Sequence, residues 1–310
     1  MTFRNLLLCG AICIGAFAPN ASAETIYLAL GDSSAYGETN RTQNPSNGDR
    51  GYVRPFADFL ATRNGGVRPT VLNLAINGET TASYFAGAGR VSSDGQGFNT
   101  NYNGRPDPFA QHQEFIVRTT ALTLAGNQIN DITVQLGANN LDGAASNPLF
   151  FTLTPAQQQA TVLAVLAGVQ SDYINILGDV RMRFPTANIY AIGYHNPYNG
   201  DPTHPLFTIA DPAVQGLNQV IAGVAPFFGA TYVDFYSAIH PNEASLTLIG
   251  TFATDPVNYV HLNDAGYAAV SQQLIQTASV PAPPAIFLAS FGMIGLSIIR
   301  RFRRTTTIIS

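Results

Sequence analysis

Four short stretches of this 310-residue chain place chemistry-bearing side chains directly after apolar runs. "TIYLALG" (25–31) leads into Asp32, Ser33 and Ser34, and "TVLNLAI" (70–76) into Asn77 and Gly78. "DITVQLG" (131–137) leads into Asn139 and Asn140, and a late segment, "ATDPVNYVHLNDAGY", holds Asp255, Asn258 and His261. A hydroxyl, several amide donors and an imidazole make up the set that acyl transfer requires: nucleophile, oxyanion donors and base. A serine hydroxyl is a weak nucleophile at neutral pH and needs a base within hydrogen-bond reach, a task that suits the histidine pKa. The tetrahedral oxyanion needs fixed N–H donors, and the candidates are the Ser33 N–H at a helix start, the Gly78 N–H and the Asn139 side-chain amide. Gly78 has no Cβ and lets the backbone come close. The Ser33–Ser34 pair also suits a helix N-cap, a role compatible with catalysis.

These residues need a scaffold that brings strand ends together. Short β-rich apolar runs recur at 25–31, 70–76, 131–137, 187–194 and 230–235, and longer segments of helical character lie at 50–63, 155–184, 212–225 and 263–277. Strands separated by helices predict βαβ units and a parallel sheet covered on both faces. Functional residues of such sheets gather at the carboxyl ends of the strands. Two segments are rich in Gly, Asn and other small polar residues: 86–108 and "YHNPYNGDPTHP" (194–205). Long loops of this kind are binding loops, lids or surface insertions. The second carries Tyr194 and Tyr198 beside a strand end, which makes it a candidate substrate-facing wall for an acyl or sugar group.

Composition sets the outer bounds. The chain is 46% hydrophobic and 11% charged, with a formal net charge of −4. It is long enough to bury a large core, and its charge gives no footprint for nucleic acid. Residues 1–23 have a basic n-region with Arg4, an apolar stretch from Leu6 to Ala18, and Ala21-Ser22-Ala23. That pattern is a signal peptide cleaved before Glu24. Both cysteines, Cys9 and Cys13, lie inside it, so the expected mature protein has neither disulfide nor thiolate. His112, His195, His204 and His240 have no ligand spacing with carboxylates, so no metal site is expected. A domain is expected over 24–278, followed by a tail over 279–310. In the tail, Pro281, Pro283 and Pro284 precede an uncharged run from Ala285 to Ile299 and a cluster of arginines beginning at Arg300. The apolar run is short for a full span, but the basic flank suits a membrane anchor with the domain outside the cytoplasm.

Gly31-Asp32-Ser33, then Asn73 through Gly78, then Gly137-x-Asn139-Asn140, then His261 resembles the SGNH (GDSL-type) hydrolase family in order and spacing. The resemblance spans nearly all of 25–275, and the blocks are specific together though weak singly. It implies a three-layer α/β/α sandwich with a mostly parallel, flavodoxin-like five-stranded sheet. It also implies Ser33 as nucleophile, Gly78 and Asn139 as oxyanion donors beside the Ser33 N–H, His261 as base, and no cofactor. Two departures stand out. Asn140 replaces the Asp of the third block. Asn258 and Leu262 replace the Asp and Pro of the Asp-x-x-His-Pro pattern, leaving Asp255 as the nearest carboxylate to His261. The acid is then Asp255, or Asn258 assists a Ser–His dyad. The tail resembles a PEP-CTERM sorting signal, with "VPAPPA" in the position of its signature, and implies exosortase-type machinery as a partner; the other reading is an ordinary membrane anchor. The function implied is an exported esterase or lipase acting on lipid, small-acyl or polysaccharide O-acyl esters at the cell envelope or beyond it. The alternative is a non-catalytic surface or matrix-binding protein that retains the fold.

Overall fold

The computed structural model describes residues 23–39, 49–86, 110–251, 254 and 259–280. Asp255 and Asn258, residues 1–22 of the expected signal peptide, 87–108 of the first loop and 281–310 of the expected tail lie outside the described residues.

In chain order the elements are β1 (Thr25–Gly31), α1 (Ser33–Tyr36), α2 (Val53–Arg63), β2 (Thr70–Asn73), α3 (Thr81–Ala86), α4 (Gln111–Leu124), β3 (Gln128–Gln135), α5 (Ala138–Ala145), α6 (Pro155–Arg183), β4 (Asn188–Ile192), α7 (Phe207–Val224), β5 (Ala230–Val233), α8 (Phe235–Ile239), α9 (Glu243–Leu246) and α10 (Asp264–Ser279). The five strands form one parallel sheet in the order β2-β1-β3-β4-β5. This is the three-layer, doubly wound sandwich expected from the sequence. Its strand order reverses between β1 and β3, where open α/β sheets form their ligand crevice.

The apolar run of β1 reads as continuous because both of its faces are covered. Ile26, Leu28 and Leu30 face a cluster that includes Phe115 of α4, Val169 and Tyr173 of α6, and Leu217 of α7. Tyr27 and Ala29 face the opposite cluster, with Phe56 of α2, Phe235 of α8 and Val270 of α10. Each large side chain buried this way stabilises the fold by roughly 1.5–3 kcal/mol, so the sheet is held from both sides. α6 starts cleanly: the Thr154 hydroxyl caps the Gln157 N–H, and the Gln157 side chain accepts from the Thr154 N–H.

Some bounds differ from expectation. β2 stops at Asn73 because the Asn73 side chain turns the chain, accepting from the Ala75 N–H at 2.9 Å and donating to the Ala35 carbonyl at 2.8 Å. α7 begins at Phe207, with Pro212 inside it, whereas the sequence reading started that helix at the proline.

Gln111, the first residue of α4, is fully buried and completes the sheet end beside the site. Its Oε1 accepts from the Gly31 N–H at 2.9 Å, and its Nε2 donates to the Gly31 carbonyl at 2.8 Å and to the Glu79 carboxylate at 3.2 Å. Replacing it by leucine leaves the buried Gly31 N–H without its acceptor, at a cost of roughly 1–3 kcal/mol, while the Gly31 carbonyl keeps the Ile76 N–H. Gln111→Leu should therefore lower the free energy of unfolding by an amount of that size, which urea unfolding followed by circular dichroism would measure.

Candidate active site

Four strand ends deliver the site. β1 ends at Gly31, and the Asp32 N–H continues the ladder to the Gln135 carbonyl at 3.1 Å. Asp32 then caps α1: its Oδ1 accepts from the Ser34 N–H at 3.0 Å, which sets Ser33 at the first position of that helix. Ser33 is buried but borders the cavity described below.

After β2, the Glu79 N–H bonds the Ile76 carbonyl at 3.1 Å to close a turn, and Gly78 sits in it at φ 75°, a conformation that favours glycine. After β3, Asn139 donates from Nδ2 to the Glu79 carbonyl at 2.9 Å. The amide carries two N–H groups; one fixes the Gly78 turn and one is left for the cavity. Asn140, which departs from the family pattern, has a use of its own. Its Oδ1 accepts from the Thr81 N–H at 3.0 Å and its Nδ2 donates to the Thr81 hydroxyl at 3.1 Å, while that hydroxyl donates to Asp172 at 2.6 Å. An aspartate, which only accepts, could not serve both partners.

His261 arrives just ahead of α10. Its carbonyl accepts from the Leu248 N–H at 2.9 Å, Leu262 bridges to Thr247, and Asn263 caps α10 through the Gly266 N–H at 3.0 Å. Thr39, soon after α1, donates its hydroxyl to the Leu262 carbonyl and so ties the Ser33 segment to that of His261.

These groups meet in one cavity of about 340 Å³, whose lining includes Ser33, Gly78, Asn139 and His261 together with Tyr194 and Tyr198. The nucleophile, oxyanion donors and base foreseen in the sequence thus share a single space, which is what acyl transfer asks of a site. The two tyrosines foreseen as a substrate wall line it as well, in different ways. Tyr198 belongs to an apolar cluster with Phe150, Leu206, Ala210 and Ile249. Tyr194 commits its hydroxyl to Asp32 Oδ2, at 2.5 Å. Asp255, foreseen as the acid, lies outside the described residues.

Three participants were invisible in the sequence. Gln111 and the fully buried Glu79 back the turn that carries Gly78, and the Glu79 carboxylate accepts from the Ser83 hydroxyl and from Gln111. His195 lines the cavity beside His261, and the Val260 carbonyl, 3.3 Å from its Nε2, can only accept, so Nε2 carries the proton. Nothing local marks any of them; only partners brought from distant segments give them meaning. Among the described residues no cluster of His, Cys, Asp and Glu has the makings of a metal site.

Burial decides the charge states. Burial pushes the Asp32 carboxyl up from 3.8 to about 7, against the opposing pull of the Tyr194 hydroxyl and the Ser34 N–H. Burial also pulls the His195 imidazole down to about 4, helped by its neighbour His261 and opposed by the bond to Val260. His195 is therefore neutral at physiological pH. For Asp32 the folded chain holds, between about pH 4 and 7, a proton that the unfolded chain has lost, so this residue's contribution to stability falls as pH rises through that window. Asp32→Asn keeps the acceptor for the Ser34 N–H, turns an amide N–H towards the Tyr194 hydroxyl oxygen, which can accept it, and removes the titration. The variant's stability relative to the parent should grow from pH 5 to pH 8 in urea unfolding series.

The family profile described as GDSL-like Lipase/Acylhydrolase family matches residues 29–269. A comparison with curated protein sequences gives no match. Solved structures share the fold at low identity. A lipase from a goat-rumen metagenome aligns with a TM-score of 0.56 and 16% identity, covering 84% of this chain and 100% of its own. A phospholipase A1 from Streptomyces albidoflavus aligns at 0.51 and 18%, covering 83% and 100%. A variant of an acetyl-xylooligosaccharide esterase from Geobacillus aligns at 0.51 and 14%, covering 83% and 95%. The family match spans all four motif blocks, and the sheet order and the cavity agree with it: the chain belongs to the GDSL-like lipase/acylhydrolase family and is an esterase or lipase.

Proposed function

We propose that this protein is an exported serine esterase that cleaves carboxylic esters bearing medium-length acyl chains, through an acyl-enzyme on Ser33. The observation that carries the reading is the shared cavity. Ser33, His261, Gly78 and Asn139 border it together with an apolar wall formed by Phe150, Leu206 and Ala210, with Val162 and Ile209 packed against that cluster. The Ser33 Oγ attacks the ester carbonyl carbon while His261 takes its proton. The negative charge that develops on the carbonyl oxygen is met by the N–H groups of Ser33 and Gly78 and the free N–H of Asn139. The alcohol leaves with the proton from His261. Water, deprotonated by His261, then attacks the acyl-enzyme, releasing the carboxylic acid and restoring Ser33. Asp255 is the candidate orienting acid for His261, with Asn258 or a dyad as the alternative.

Export rests on the N-terminal signal pattern, and envelope attachment on the proline-apolar-arginine tail, either as a membrane anchor or as a substrate of exosortase-type machinery. Acyl esters of lipids fit the apolar wall better than the O-acetyl groups of a polysaccharide, because an acetyl group would leave that wall uncovered.

Turnover of p-nitrophenyl esters by residues 24–278 tests the reading. Ser33→Ala should abolish turnover and labelling by a fluorophosphonate, and Asn139→Ala should lower kcat by roughly 10²–10³. Equal background in parent and Ser33→Ala would favour the non-catalytic binding protein. Along the ester series, kcat/KM should rise by up to roughly fourfold per added methylene, the equivalent of about 0.8 kcal/mol per buried CH₂, until the wall is covered. Ala210→Phe, which fills the wall, should move the optimum towards acetate. An optimum at acetate in the parent would favour the polysaccharide ester instead.

A further inference from the structure

Two adjacent residues reach, in different directions, to the two halves of the catalytic pair. β4 is not a neighbour of β1 in the sheet, and it carries neither nucleophile nor base. The chain leaving it nevertheless touches both. Gly193 extends the ladder by donating to the Val233 carbonyl at 2.9 Å. A Cβ at Gly193 would lie 2.5 Å from the Tyr232 hydroxyl and 2.8 Å from Asn218 Oδ1, so glycine is what lets α7 come this close. Asn218 uses that proximity to clamp Tyr194 from both sides: its Oδ1 accepts from the Tyr194 N–H at 2.7 Å and its Nδ2 donates to the Tyr194 carbonyl at 2.8 Å. From this fixed point the Tyr194 hydroxyl donates to Asp32, the residue before Ser33. The next side chain, His195, donates from Nε2 to the carbonyl of Val260, the residue before His261. Asn196 then anchors the far end, accepting from the Tyr198 N–H at 3.2 Å and donating to Asn199 at 2.9 Å and Asp211 at 3.2 Å.

We propose that Tyr194 and His195 form a positioning brace, held by Asn218 and Asn196, that sets the separation of Ser33 and His261 through their chain neighbours Asp32 and Val260. The inference rests on the serine-esterase reading above. The brace touches no reacting atom, and both of its side chains are hydrogen-bond donors to fixed acceptors. Nucleophile and base come from opposite ends of the sequence, and their covalent connections do not hold them at a working distance. A misplacement of about 1 Å is enough to lower turnover by roughly 10²-fold. Each arm is anchored in buried structure: Tyr194 and Asn196 are almost fully shielded, and Asn218 and His195 are each 8% exposed. The Nε2 proton of His195 is committed to a carbonyl, which fixes the ring's tautomer and orientation. The buried His195 ring, drawn down to about 4, stays neutral and adds no charge beside His261.

The test compares Tyr194→Phe, His195→Leu and His195→Gln with the parent in the full chain. The readouts are kcat and KM on p-nitrophenyl butyrate, the rate of fluorophosphonate labelling of Ser33, and the melting temperature. Tyr194→Phe and His195→Leu should each lower kcat and the labelling rate by roughly 10- to 100-fold, with KM held within about twofold. His195→Gln keeps a donor for Val260 and should recover most of the His195→Leu loss at a similar melting temperature. The double variant Tyr194→Phe/His195→Leu should lose less than the product of the two single losses, because both arms set one distance. The proposal is overturned if kcat survives in Tyr194→Phe and His195→Leu, if KM alone changes, or if the glutamine variant is as poor as the leucine. Should His195→Leu fail to fold, Tyr194→Phe, which loses a single oxygen, decides the matter. Failure of the underlying reading looks different: the parent itself would then show no turnover or labelling dependent on Ser33.

Discussion

A carboxyl group buried, among the described residues, without a cationic partner organises this site. Asp32 is 1% exposed at the end of the central strand and directly precedes Ser33. Burying such a group is costly unless donors surround it, and the described donors are the Ser34 N–H and the Tyr194 hydroxyl. The first forms the cap that starts α1 and sets Ser33 at its head. The second crosses to the chain beyond β4. Local helix geometry and long-range tertiary order are thus coupled through two oxygens. The hydroxyl-bearing segment can sit correctly only when the third layer, through α7 and Asn218, has also docked.

The sequence disclosed the sheet more fully than the braces behind it. The runs at 25–31 and 187–194 are apolar on both faces because both faces are covered, and such runs are visible without knowing any partner. That Ser33, Gly78, Asn139 and His261 would meet at one cavity was legible for a related reason: each follows a strand or precedes a helix, where its type and place carry the signal. α4 was not legible. Its buried side chains are Gln111, Phe115 and Thr119, two of them polar, so no apolar stripe announces it. The role of Gln111 depends on Gly31 and Glu79, which lie far away in the chain. The departure at Asn140 has its physical reason in Thr81, whose hydroxyl is committed to Asp172 and therefore needs a donor rather than a second acceptor.

The same physics separates two parts of one cavity. Around Ser33 the lining is polar and several of its groups have assigned bonds: Asn139 to the Glu79 carbonyl, Asp32 to Tyr194, His195 to Val260. Around Phe150 and Leu206 it is apolar and packs only by contact. Preorganised dipoles act on charge that develops at a fixed point, whereas an apolar wall rewards area. A substrate with a polar reacting centre and an apolar arm uses both parts. A substrate lacking the arm gains from the first alone.

Two histidines border this cavity, and their surroundings assign them different work. His195 is held neutral by burial, with one ring nitrogen bonded to a backbone carbonyl. A ring fixed in one protonation state and one orientation cannot shuttle protons, but it can hold a neighbour in place. His261 stands on a segment pinned by backbone bonds to Leu246 and Leu248 and by the hydroxyl of Thr39. A base that must gain and lose a proton in each cycle benefits when the bonds that hold its segment do not titrate with it. In the proposed mechanism the two histidines divide the work: positioning falls to His195, which burial keeps neutral near pH 7, and proton transfer to His261.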